Sequence, residues 1–240
     1  MEQQMLAGKV AIITGASYGM GRSMAELFAE EGAAGVITAR HQEKLDEVVN
    51  TIRAKGSRAV GVVADVCSTE DTKKVFDTAL KEFGDVDILI NNAGIGEQKL
   101  IDETDDDWMM YVMNTNLGGP MRYIREALKI FLPKNDGVII NISSNHALGC
   151  WPNATVYAAA KAGLDKLGKN MAMELAPHGI RVVTIAPGYT QLPERKRPDT
   201  PEANARFKAL TDRIPGGRFA EPWEIGDAVV FLASESAGYI

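Results

Sequence analysis

Apolar residues in this chain come in short continuous runs separated by longer stretches of helical periodicity. The runs fall at about 9–14, 35–39, 59–64, 86–90, 137–142 and 180–186, and they are apolar throughout instead of alternating. That pattern suits strands covered by helices on both faces. Helical spacing fills the intervals near 20–31, 42–55, 70–83, 105–131 and 154–177, and again from Glu224 to Ala233. Strand followed by helix, repeated, implies right-handed crossovers and an α/β fold with a doubly wound parallel sheet. No repeat, low-complexity tract or linker divides the chain, so 1–240 reads as a single domain. The rhythm breaks between 189 and 218, where Pro193, Pro198, Pro201 and Pro215 are interspersed with charges. This excursion follows the sixth strand, on the carboxyl side of the sheet where open α/β folds bind ligands. It is expected to act as a mobile substrate lid holding a short helix near 201–213.

The first strand runs into Gly15-Ala16-Ser17-Tyr18-Gly19-Met20-Gly21, and a helical pattern follows. Strand, glycine turn and helix together form the context in which glycines cradle a pyrophosphate against a helix N-terminus. The spacing is Gly-x3-Gly-x-Gly, not the commoner Gly-x-Gly-x2-Gly. The second strand ends at Ala39-Arg40, where a carboxylate would bind the ribose 2′-hydroxyl of NAD. A guanidinium there suits a 2′-phosphate, so NADP(H) is favoured over NAD(H); stacking on adenine is the other use for Arg40.

A second motif lies downstream. Tyr157 and Lys161 stand four residues apart, on one face of a helix. An ammonium beside a phenol favours the phenolate, so Tyr157 is expected to have a lowered pKa and to move a proton near neutrality. Ser144 follows the apolar run Val138 to Ile142, and a strand ending there delivers its hydroxyl to the same cleft.

With both motifs in place, the chain resembles the short-chain dehydrogenase/reductase family from about Gly8 to Ile240. Thr14 to Gly21 is similar to the family's cofactor loop, Asp65-Val66 to its adenine-contacting pair, and Asn91-Asn92-Ala93-Gly94 to its Asn-Asn-Ala-Gly segment. Asn116-Leu117-Gly118-Gly119 resembles the segment carrying a fourth catalytic residue, and Pro187-Gly188 the turn beside the nicotinamide. The resemblance implies a Rossmann-type fold with catalytic residues Asn116, Ser144, Tyr157 and Lys161. It implies a cofactor set of Gly15, Ser17, Tyr18, Gly19, Met20, Arg40, Asp65, Val66, Asn92, Ala93, Gly94, Tyr157, Lys161, Pro187, Gly188 and Thr190. Lys161 would also hold the nicotinamide ribose, and Asn116 would position a water for proton relay. Trp108 stands one residue further from Asn116 than the family pattern has it, which leaves Asn114 as a rival. The chain ends at Gly238-Tyr239-Ile240, where family members usually continue through a Thr-Gly turn into one more strand. The resemblance therefore implies either a shortened chain or a sheet without its final strand, with an exposed edge and a weakened subunit interface. A homo-oligomer, tetramer or dimer, is expected by the same resemblance.

Composition narrows the partners. A net charge of −6 argues against nucleic acid, and no apolar run approaches the length of a membrane span. The first residues carry no signal pattern, and Cys67 and Cys150 make no disulfide framework, so a cytoplasmic setting is expected. His41, His146 and His178 are scattered, and no catalytic metal is expected. The substrate is therefore a small molecule, contacted by Ser144, His146, Trp151 and Tyr157. His146 and Trp151-Pro152 resemble the sugar-oxidising branch of the family, and Arg213 to Arg218 resembles members acting on sugar acids. A polyol, sugar or sugar acid is the first reading and a 3-oxoacyl thioester the second. Arg195, Lys196 and Arg197 could attract an anion, although a charge run is usually a solvated face. A non-catalytic nucleotide sensor on the same fold is the reading from another class; four intact catalytic positions argue against it.

Overall fold

The computed structural model describes residues 4–192 and 198–240. The run Arg195-Lys196-Arg197, with Pro193, lies outside the described residues. Six strands, β1 (Val10–Thr14), β2 (Ala34–Ala39), β3 (Ala59–Val63), β4 (Ile88–Asn91), β5 (Gly137–Ile142) and β6 (Ile180–Ile185), form one sheet of order β3-β2-β1-β4-β5-β6. Every pairing is parallel. The order reverses between β1 and β4, and ligands bind at the carboxyl ends of strands beside such a switch point.

Helices cover both faces. On one side, α1 (Gly19–Glu30), α2 (Gln42–Ala54) and α8 (Pro222–Ala233) pack Met24, Phe28, Leu45, Ile52 and Val229 against Ile13, Ile37, Ile90 and Ile140. On the other, α3 (Thr69–Phe83), α5 (Gly119–Lys134) and α6 (Thr155–Leu175) pack Val75, Phe76, Tyr123, Phe131 and Leu175 against Ile12, Val36, Leu89 and Ile139. Odd and even strand positions thus serve different cores, which explains why the runs are apolar at every position.

The expected helix over 105–131 is instead three pieces: α4 (Asp106–Met113), a π-helical turn over Asn114–Gly118, and α5. Gly118 and Gly119 sit at this break. A Cβ on Gly119 would lie 2.9 Å from Val66, so the helix can approach the end of β3 only with glycine there. A π-turn inserts an extra residue and turns the following side chains, a device frequent at functional sites.

The excursion after β6 is closed at its base. Thr190 bridges Ala220, with Gln191 N–H donating to the Ala220 carbonyl at 2.7 Å and Ala220 N–H to that of Tyr189 at 2.9 Å. Tyr189 stacks on Phe219 at 5.0 Å, and Phe207 of α7 (Pro201–Thr211) packs on the same ring at 4.8 Å.

Candidate active site

The glycine loop leaves β1 and enters α1 at Gly19. Gly15 and Gly19 have φ of +66° and +56°, backbone that glycine adopts without strain. A Cβ on Gly21 would lie 2.2 Å from the Gly15 carbonyl oxygen and 2.5 Å from Nδ2 of Asn92. Thr14 Oγ1 accepts from the backbone N–H of both Asn92 and Ala93 at 3.0 Å and donates to the Ile90 carbonyl at 3.3 Å. Asn92 Nδ2 returns bonds to the carbonyls of Thr14 (2.9 Å) and Gly15 (3.1 Å). The two loops at the switch point are therefore one hydrogen-bonded unit. Ser17 is buried beneath it, Tyr18 is exposed, and Met20 is half-buried. Thr14 stood in the sequence motif but was not among the expected site residues; only the cross-strand partners reveal its part.

Arg40 is exposed at the end of β2, and its Nη1 donates to the Tyr111 hydroxyl at 2.7 Å. Asp65 Oδ1 accepts from Cys67 N–H at 2.8 Å, which fixes the turn after β3, and Val66 is buried. Tyr111, on α4, is a partner the sequence did not suggest. The side of the cleft that would hold an adenosine thus carries one guanidinium and no carboxylate at the tip of β2. The glycine cradle, which any Cβ at Gly21 would fill, fits a dinucleotide.

The catalytic candidates converge on the ends of β4 and β5. Asn116, in the π-turn, is fully buried; its Nδ2 donates to the carbonyls of Ile95 (3.1 Å) and Val112 (3.0 Å), and its Oδ1 accepts from Ile95 N–H at 3.3 Å. A Cβ on Gly94 would lie 2.7 Å from Asn116 Oδ1 and 3.4 Å from Lys161 Nζ, so both groups share the space over that glycine. Asn114 points elsewhere, its Oδ1 within 3.4 Å of Arg122 Nη2. Lys161 is buried and donates to the Ile142 carbonyl at 2.8 Å, while Ser143 Oγ donates to the Lys161 carbonyl at 3.1 Å. These bonds dock α6 on the end of β5. Ser144 Oγ lies 3.3 Å from both Asn145 Oδ1 and His146 Nδ1 and accepts from His146 N–H at 3.2 Å. His146, whose Nδ1 lies 3.3 Å from Ser144 Oγ, meets the Tyr157 ring edge-on, which places the serine and the tyrosine on the same side of the cleft.

Lysine was expected to lower the pKa of the Tyr157 phenol. In this geometry burial dominates and pushes the phenol up, while Ser144 draws it partly down. The Lys161 ammonium is 5.8 Å from the Tyr157 ring centre, and burial pushes its own pKa down to about 8. Four-residue spacing put the two side chains on one face, but the free carbonyl at the end of β5 captures the lysine.

His146 stacks on Trp151 at 4.3 Å and meets the Tyr157 ring edge-on at 5.4 Å. Its Nε2 is buried without a partner among the described residues, and burial lowers its pKa, so it is neutral near pH 7. Asn145 N–H donates to the Pro187 carbonyl at 3.0 Å, and the Thr190 hydroxyl to that of Gly188 at 3.3 Å, joining the ends of β5 and β6. Beside them opens a cavity of about 570 Å³ lined by Asn145, Trp151, Gly188, Tyr189, Arg213, Ile214, Gly216, Arg218, Ala220 and Glu224. Six of these ten residues come from 213–224; the excursion over 189–218 and the resemblance at Arg213 to Arg218 point to part of this wall, while Ala220 and Glu224 carry no motif.

A switch-point glycine cradle beside a serine, tyrosine and lysine is the constellation of the short-chain dehydrogenases, and the family model described as short chain dehydrogenase matches residues 9–202. The chain belongs to this family. It is 40% identical over 238 residues to 3beta-hydroxysteroid dehydrogenase 1 of Eggerthella lenta, covering 98% of this chain and 90% of that protein. It is 36% identical over 236 residues to the 3-oxoacyl-(acyl-carrier-protein) reductase FabG of Thermotoga maritima, covering 98% and 94%. A crystal structure of a dehydrogenase/reductase from Sinorhizobium meliloti 1021 superposes with a TM-score of 0.90 at 34% identity, covering 99% of this chain and 92% of that one. The protein is an NAD(P)-dependent oxidoreductase acting on CH–OH or carbonyl groups of a small molecule. Among the described residues, no helix is long and apolar enough to cross a membrane.

Proposed function

We propose that the protein interconverts a secondary alcohol and a ketone, with Tyr157 as the proton-transferring group and NADP(H) preferred. The observation that carries this reading is the gathering of Ser144, Tyr157 and buried Lys161 at the end of β5, beside a cradle that only glycine permits. When bound, the nicotinamide supplies or accepts the hydride. In the reductive direction Tyr157 gives its proton to the carbonyl oxygen as charge builds there. Ser144 donates a hydrogen bond to that oxygen. Lys161, charged below about pH 8, keeps a positive charge 5.8 Å from the Tyr157 ring centre, where it would also hold the nicotinamide ribose. Asn116, packed over Gly94 with Lys161, is the positioning residue for a proton path from the lysine outward. Gly15, Ser17, Tyr18, Gly19 and Met20 would cradle the pyrophosphate, with Asp65, Val66, Asn92, Ala93 and Gly94 along the adenosine and ribose. Pro187, Gly188 and Thr190 would flank the nicotinamide.

The NADP(H) preference is supported by Arg40, an exposed guanidinium that donates to Tyr111 and follows a β2 strand carrying no carboxylate, with Asp65 at the end of β3 as the nearby acid. For the substrate, the cavity favours an oxo or hydroxy compound with an apolar body over a free polyol. Trp151, Tyr189, Ile214 and Ala220 offer large apolar faces, and His146 Nε2 offers one buried polar atom near the reacting groups. The names of the two curated relatives, a hydroxysteroid dehydrogenase and a 3-oxoacyl reductase, support the same shift; a sugar acid is the alternative, because Arg213 lines the cavity. A cytoplasmic homo-oligomer, dimer or tetramer, belongs to this reading, and light scattering gives its copy number.

The test is absorbance at 340 nm with NADPH and with NADH over a panel of sugars, polyols, sugar acids, steroidal ketones and 3-oxoacyl thioesters. Oxidation of NADPH by at least one ketone, faster than of NADH, is expected. Cofactor binding without any turnover across the panel would favour the nucleotide-sensing alternative.

A further inference from the structure

Among the described residues, the charges of the cavity wall do not cancel. Arg218 grips Glu224 with both arms of its fork, at 2.6 and 2.7 Å, and Nη1 also donates to the Phe219 carbonyl at 3.0 Å. Glu224 in turn accepts from Glu221 N–H at 2.8 Å, so this pair is a structural clasp at the start of α8. Asp212, the acid beside Arg213 in sequence, is engaged by Lys208 at 2.8 and 2.9 Å. The remaining lining residues other than Arg213 are uncharged. Arg213 has no ion-pair partner among the described residues, although it lines the cavity.

The backbone that carries this exposed side chain is held in place. The backbone N–H of Arg213 bonds to the Leu210 carbonyl at 3.2 Å, Ile214 N–H to that of Thr211 at 3.0 Å, and Gly217 N–H to that of Ile214 at 2.8 Å. These successive turns continue α7, which Phe207 anchors to Phe219 and, through it, to Tyr189. Among the described residues the wall therefore offers one exposed guanidinium without an acidic partner, beside aromatic and aliphatic faces.

We propose that Arg213 reads a carboxylate on the substrate, so that the preferred substrates are oxo or hydroxy acids with an apolar body between the reacting carbon and the acid. A guanidinium matches a carboxylate fork to fork. A single positive charge balances a monoanion; a phosphate dianion would call for more cations than the described residues of this wall hold. The apolar faces bury the body of the molecule, and Arg213 sets its direction, which decides which carbon meets Ser144 and Tyr157. This inference rests on the oxidoreductase reading above and adds the class of substrate.

The experiment uses a matched series of alicyclic and steroidal oxo acids and their methyl esters, assayed with NADPH on the intact chain and on Arg213→Gln and Arg213→Lys. The intact protein is expected to favour acid over ester by about tenfold in kcat/KM, as a charge-assisted bond in a half-open cavity would give. The gain should lie in KM and shrink as ionic strength rises. Arg213→Gln should bring the acid-to-ester ratio to about one, and Arg213→Lys should keep part of the preference. Turnover of esters as fast as acids, or a preference that survives in Arg213→Gln, overturns the inference and leaves the oxidoreductase reading standing. Turnover of neither series by protein that binds NADPH overturns both.

Discussion

Lys161 is an ionisable group that the fold holds at a cost, and replacing it measures that cost. Burial lowers its pKa from 10.5 to about 8. At about 1.4 kcal/mol per pKa unit, keeping it charged in the folded state costs about 3 kcal/mol. Below pH 8 both folded and unfolded chains carry the proton and the whole penalty applies. Between pH 8 and about 10.5 the unfolded chain binds a proton that the folded chain has lost, so stability rises with pH in that window. Lys161→Met keeps the unbranched shape and removes the charge, but leaves the Ile142 carbonyl without its 2.8 Å donor, a loss of about 1 kcal/mol. The variant is therefore expected to be inactive yet about 2 kcal/mol more stable at pH 7. That advantage should shrink steadily as pH is raised from 8 to 10. Urea unfolding followed by tryptophan fluorescence, at one protein concentration and several pH values, reads the difference directly. A gap between the two proteins that does not change across this range would refute the claim that burial holds the lysine near its titration point.

Arg40→Ala should raise the Kd for NADPH by about tenfold or more and that for NADH by less than twofold, read by cofactor fluorescence; equal losses would count against a 2′-phosphate role. Gly21→Ala places a methyl 2.2 Å from the Gly15 carbonyl oxygen, and is expected to lower Tm by several degrees and weaken both cofactors in a thermal-shift titration. Thr14→Val removes the hydroxyl that joins the cofactor loop to Asn92 and Ala93 and strands two backbone N–H groups. A stability loss of about 2–3 kcal/mol in urea is expected, with weaker cofactor binding.

How far the chain could be read before folding depended on whether a property was local. Strand runs such as Val138 to Ile142 and the loop from Gly15 to Gly21 were legible because burial on both faces and phosphate binding leave local marks. The break at Asn114–Gly118 was not, because the apolar period of 105–131 continues through it; only the close approach of Gly119 to Val66 explains it. The pairing of Tyr157 with Lys161 was read correctly as a shared face but not as a direct contact, since the Ile142 carbonyl that captures the ammonium is 19 residues away. Thr14 and Tyr111 owe their places to partners far along the chain, and no spacing rule reaches them; the wall from Arg213 to Glu224 was legible in part, from the proline-rich excursion over 189–218.

The most direct test of the account is the turnover of Tyr157→Phe with NADPH and the best ketone of the panel, with NADPH binding measured in parallel. The phenol hydroxyl is the only atom removed, so binding should match the intact protein while kcat falls by about 10³-fold, as the loss of a positioned proton donor demands. Turnover close to that of the intact protein, with the cofactor still bound, would contradict the assignment of Tyr157 as the proton-transferring residue.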